Sequence, residues 1–81
     1  MPTVFRQGPY RVYFFSHEPN EPPHVHVDRD AATAKVWLDT IALSRSRGFR
    51  PKEINVIIEM VKDNRGALLE AWHEYFGTTD G

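Results

Sequence analysis

The sequence predicts an α+β domain: an antiparallel meander of four to five strands followed by a C-terminal helical segment packed on the sheet. Three observations carry this. The chain changes character near Gly48, with β-branched and aromatic residues broken by Pro and Asn before it and a helical pattern after it. Residues 24–29 (HVHVDR) and 33–38 (TAKVWL) alternate polar and apolar side chains, as half-buried strands do. Ile54, Ile57, Ile58, Val61, Leu68, Leu69, Trp72 and Phe76 recur at helical spacing. The 81 residues suffice for one domain, read as residues 1–77, with 78–81 as a tail.

Element by element, residues 3–6 form a short strand ended by Gly8-Pro9. Residues 10–16 form a stronger one. Its alternation puts Tyr10, Val12 and Phe14 on one face and Arg11, Tyr13 and Phe15 on the other, so both faces are expected to be covered. Residues 17–23 (HEPNEPP) are a loop, because three prolines remove amide donors and restrict their predecessors. Keeping Val25, Val27, Ala34 and Val36 on one core face fixes the next register: His24 opposite Trp37, His26 opposite Lys35, Val27 opposite Ala34. Asp30-Ala31 makes the turn without glycine. After an Asp39-Thr40 turn, residues 41–44 read as the last strand.

Pro51 suits the first helical position and Glu53 the first turn. Arg50 offers no side-chain acceptor for a cap. Asn64 and Gly66 interrupt the apolar phase, which gives either two helices or one kinked helix, and Gly77 stops the pattern.

Composition excludes several chemistries. There is no cysteine, so disulfides, thiolate metal sites and cysteine nucleophiles are out, and a reducing, cytoplasmic location is expected. The 10 Lys+Arg and 11 Asp+Glu give a net charge of −1, which argues against a globally basic nucleic-acid binder but leaves room for a local basic patch. No apolar run spans a bilayer, so no membrane partner is expected. No Gly-rich phosphate loop exists, and Ser16, Ser44 and Ser46 stand in no nucleophile elbow.

Three groups of residues carry chemical interest. His24 and His26 leave the same strand face about 6.6–6.8 Å apart, with Lys35 and Trp37 beside them and Asp28 and Thr33 at the end. Such a pair suits an acid and a base flanking one phosphate, or two ligands of a metal. Taken by itself it is more often a pair of satisfied polar side chains. Lys35 disfavours a metal, and no cofactor is expected. Arg45, Arg47, Arg50 and Lys52 form a cationic run that suits phosphate oxygens, although such runs are more commonly solvated loops. Trp72, His73, Tyr75 and Phe76 are most simply core, with an exposed remainder available as a partner surface.

The run Glu21-Pro22-Pro23-His24-Val25-His26-Val27 resembles the signature of domain-of-unknown-function family 4160. Met1-Pro2-Thr3-Val4, Gly8-Pro9-Tyr10-Arg11, Phe14-Phe15-Ser16, Ala34-Lys35-Val36-Trp37-Leu38, Gly48-Phe49 and Leu68-Leu69-Glu70-Ala71-Trp72 agree as well, so the resemblance covers essentially the whole domain. It implies a small bacterial protein encoded beside a second small protein, the pair being a type II toxin–antitoxin system with this family as the toxin. Its motif positions fall on His24, His26, Lys35 and Trp37. His17 and Arg50 depart from the family's usual residues.

The expected function is therefore a toxin component acting on RNA or translation, a metal-independent ribonuclease in its sharpest form. His24 and His26 would be base and acid, Lys35 or an Arg of the 45–50 segment would stabilise the phosphate, and Trp37 would stack a base. The expected partners are a cognate antitoxin-like protein and RNA, with a homodimer left open. The alternatives are a non-catalytic protein-binding or regulatory module and a metal site on His24, His26 and His17.

Overall fold

Valine alternation and short turns build the sheet. In a computed structural model that describes residues 3–14 and 21–76, strands β1 (Thr3–Gln7), β2 (Tyr10–Tyr13), β3 (His24–Arg29), β4 (Ala32–Trp37) and β5 (Ala42–Arg47) lie in the order β1-β2-β3-β4-β5, each antiparallel to its neighbour. Helices α1 (Pro51–Asp63) and α2 (Arg65–Phe76) follow. Residues 1–2, the segment 15–20 including His17, and residues 77–81, with the expected helix stop at Gly77, lie outside the described residues.

The β3–β4 register is the one the alternation requires: His24 faces Trp37, His26 faces Lys35 and Val27 faces Ala34. Asp30 makes the turn without glycine by taking a φ of 55°, a left-handed conformation that Asp tolerates better than most residues. The ladder is prolonged by the Leu38 amide, which donates to the Pro23 carbonyl at 2.9 Å. Pro23 gives up a donor and supplies an acceptor, so the proline pair suits the entry to a strand.

The last strand corrects the sequence reading. Ile41 belongs to the preceding turn, with φ 51°, and the strand runs from Ala42 to Arg47 rather than over 41–44. The physical reason is an irregularity in pairing: Lys35 faces Arg45 and Val36 faces Leu43, which leaves Ser44 as an extra residue. The bulge breaks the period of two, and it places Arg45 and Arg47 in a strand, where the sequence reading had a loop.

Val12, Val25, Val27, Val36 and Leu38 form one face of the core, and Ile57, Met60, Val61 and Leu68 close it from the helices. Ile54, Ile58 and Leu69 are half-buried, and Met60 holds a fully packed place instead. Helix α1 begins without a side-chain cap. Arg50 is extended (φ −84°, ψ 157°), as a residue before proline prefers, and its carbonyl accepts the Glu53 and Ile54 amides at 2.9 Å each. Glu53 then clamps the helix to the sheet, accepting from Arg29 (2.5 and 2.8 Å) and from the Tyr10 hydroxyl (2.8 Å).

The helical segment is two helices. The Asn64 side chain folds back on the Met60 carbonyl (2.8 Å), while its own carbonyl accepts the Leu68 amide (2.9 Å), so one residue ends α1 and starts α2. Arg65, which interrupts the apolar phase, sends its guanidinium to the Leu38 carbonyl at 2.7 Å and fastens α2 to the β4–β5 turn. Gly48, between β5 and α1, has φ +90°, and a Cβ there would lie 2.9 Å from that of Ala32. Only glycine fits both constraints.

Candidate functional site

Side chains opposite the valines point away from α1. On that face the registers align two rows across four strands: Tyr13–His26–Lys35–Arg45, and beside it Arg11–Asp28–Thr33–Arg47. His24 and Trp37 form the start of a third. The structure thus brings His24, His26, Lys35 and Trp37 together on one face, and adds Arg45 and Arg47 to them. Arg50 and Lys52 stand apart, at the start of α1.

The two histidines differ in environment. His24 is fully buried. Its Nδ1 lies 2.9 Å from the Pro22 carbonyl, which can only accept, so Nδ1 carries a proton and donates. Its ring contacts Trp37 (5.6 Å between centroids), Trp72 of α2 (5.1 Å) and, edge-on, His26 (5.2 Å). His26 is 7% exposed and stacks on Tyr13 at 5.3 Å with planes 20° apart. The Tyr13 ring also lies under the Arg11 guanidinium, 4.6 Å away.

Lys35 is not a free cation. Its Nζ donates to Glu21 Oε1 at 2.6 Å and sits 4.7 Å over the Trp37 ring. The same carboxylate oxygen is 3.8 Å from His24 Nδ1. The residue before the two prolines therefore neutralises the lysine that the histidines flank. Arg45 and Arg47 are exposed.

Burial, together with the bond from its hydroxyl to Asp28 (3.0 Å), raises the Tyr13 pKa above the usual tyrosine value, so the phenol stays protonated at neutral pH. These groups border a cleft of about 440 Å³ lined by Tyr13, His26, Thr33, Lys35, Arg45 and Arg47 among others.

Tyr13, Glu21 and Trp72 are parts of this site that the sequence reading did not assign to it. The alternation of residues 10–16 already put Tyr13 on a face with Arg11. Only the pairing of β2 with β3 was missing. Glu21 and Trp72 arrive from a loop and a distant helix. Both stand in runs that carry the family resemblance, but no periodicity ties either of them to the histidines. Among the described residues no group of three or more His, Cys, Asp or Glu side chains could hold a metal ion. Of the proposed trio, His17 lies outside them.

A five-stranded meander whose valine face is closed by α1 and by Leu68 of α2, with an imidazole–aromatic–cation cluster on the other face that Trp72 of α2 reaches, defines a small α+β domain with a cleft on its sheet. The chain belongs to the family described as domain of unknown function (DUF4160), which matches residues 10–73. No curated protein and no solved structure matches it. Among the described residues no helix is long and apolar enough to cross a membrane.

Proposed function

We propose that this chain is the toxin-like member of a two-protein pair and that it acts on RNA at the cleft on the sheet. The observation that supports this most is the row Tyr13–His26–Lys35–Arg45, with exposed Arg45 and Arg47 beside the stacked Tyr13–His26 pair. Guanidinium groups at a cleft rim take phosphate oxygens in bidentate fashion. A net charge of −1 does not oppose this, because Arg11, Arg45 and Arg47 stand on the cleft face and make a local basic patch.

Within this reading the roles divide. His26 borders the cleft and is the base that takes the proton of a ribose 2′-hydroxyl. The 2′-oxygen attacks the adjacent phosphorus, a 2′,3′-cyclic phosphate forms, and the 5′-oxygen leaves with a proton from solvent. His24, sealed between two indoles and bonded to Pro22, positions His26. Arg45 and Arg47 stabilise the phosphate charge, because Glu21 already compensates Lys35.

The test is anisotropy of a labelled single-stranded RNA with the full chain at rising salt, with the same RNA run on a denaturing gel. Binding that weakens with salt and in the Arg45→Ala/Arg47→Ala double variant, with cleavage lost in His26→Ala, is the expected result. Absence of binding at low salt overturns it. A second reading, a non-catalytic module that binds a protein partner, is favoured by one observation: His24 and Lys35 are both committed to contacts inside the fold. Binding without cleavage in wild type would leave the RNA contact and remove the reaction.

A further inference from the structure

On the opposite side of the molecule, a groove of about 590 Å³ runs between the β1–β2 turn and helix α1. Its walls are Gly8, Pro9 and Tyr10 on one side and Val56 and Met60 on the other, and most of its surface is apolar. Val56 is 50% exposed in the middle of a helix whose neighbouring apolar residues are packed into the core. The stripe Lys52–Val56–Glu59–Asp63 follows the four-, three- and four-residue steps of one helix face. It is polar at both ends and apolar at its centre.

The charge along that stripe is ordered. Glu59 and Asp63 are exposed on successive turns at one end, Lys52 is exposed at the other, and none of the three is engaged by another described side chain. Two unpaired carboxylates beside an exposed valine repel nucleic acid and attract a cation carried next to an apolar group. We propose that this groove docks a segment of a partner protein in which an apolar side chain, seated over Val56 beside Pro9 and Tyr10, is followed by a lysine or arginine directed at Glu59 and Asp63. The groove lies on the helix side of the sheet and the cleft on the other, so the partner and an anionic ligand bind without sharing a residue. The inference does not rest on the RNA reading.

Two peptides test it, Ac-Gly-Leu-Gly-Arg-NH2 and Ac-Gly-Leu-Gly-Glu-NH2, titrated into the full chain while the methyl resonances of Val56 and Met60 are followed. The arginine peptide is expected to shift both methyls saturably, and the glutamate peptide to bind about threefold or more weakly, as an exposed charge pair allows. The Glu59→Gln/Asp63→Asn double variant should abolish that preference with an unchanged melting curve, and Val56→Asp should remove binding of both peptides. Equal affinity of the two peptides, or no saturable shift at Val56 and Met60, overturns the proposal. Concentration-dependent dimers that Val56→Asp dissolves also overturn it, by assigning the groove to a second copy.

Discussion

Trp72 in α2 rests against His24 at the start of β3, with ring centroids 5.1 Å apart and planes inclined by 56°. Phe14, after β2, touches the same indole at 5.4 Å. The ring against which His26 stands edge-on is therefore supported from the last helix, although α2 contributes no group to the lining of the cleft.

Truncating that indole should act at two levels. Trp72→Ala should cost about 3–5 kcal/mol of stability in urea denaturation, as large buried aromatics do. It should also move the ring-proton resonances of His24 and His26. Leu68→Ala, in the same helix but packed on the valine face, should cost about 2–5 kcal/mol and leave the His26 resonances close to their wild-type positions.

Gly48→Ala should destabilise strongly, through left-handed backbone strain and a Cβ 2.9 Å from that of Ala32. A loss of about 1–3 kcal/mol is expected from the backbone alone. Gly66→Ala, in α2 with nothing within 4 Å of the added methyl, should be stabilising by about 0.5–1 kcal/mol. Thermal melts of the two variants check the contrast.

The Arg29 guanidinium, followed by the Tyr10 hydroxyl, holds the Glu53 carboxyl below the ordinary glutamate range against an opposing push from burial. A depressed folded-state pKa means that the unfolded chain binds the proton first. The clamp's contribution is therefore complete above the unfolded value, about 4.3, and is lost as the pH falls through the folded value. Melting temperature should drop on acidification below about pH 4.3. In Glu53→Gln that drop should be shallower, and the variant should already melt lower at neutral pH.

Glu21→Gln should uncover the charge of Lys35. If the cleft receives a polyanion, RNA affinity should rise and its dependence on log salt should steepen by up to about 0.7, one added phosphate contact on a single strand. Anisotropy titrations at several salt concentrations read both quantities, and an unchanged slope would mean that Lys35 lies outside the bound interface.

The β3–β4 pairing was legible because both strands alternate cleanly and a shift by one residue would turn the valines to solvent. Residues 42–47, ALSRSR, have no such alternation, and the bulge at Ser44 removes what period they have. The arginines therefore read as loop, and their place beside His26 was hidden. The site's centre, His24 with His26, followed from strand geometry. Its modulation did not, because Glu21 meets Lys35 across 14 positions and Trp72 meets His24 across the docking of a whole helix. Arg65 is a similar case: an arginine in the apolar phase is intelligible only once the Leu38 carbonyl is seen to receive it.

The meander order has a kinetic side. Each strand pairs only with those adjacent to it in sequence, so every closure is short-range and the sheet can grow one hairpin at a time as synthesis proceeds. Yet Ile57, Met60, Val61 and Leu68 all follow residue 50. Until they emerge, a nascent sheet carries a bare stripe formed by Val12, Val25, Val27 and Val36, which is the surface on which newborn chains coalesce. The charged, bulged strand β5 then stands guard at the growing edge, because two guanidinium groups and an unpaired serine discourage another chain from continuing the ladder.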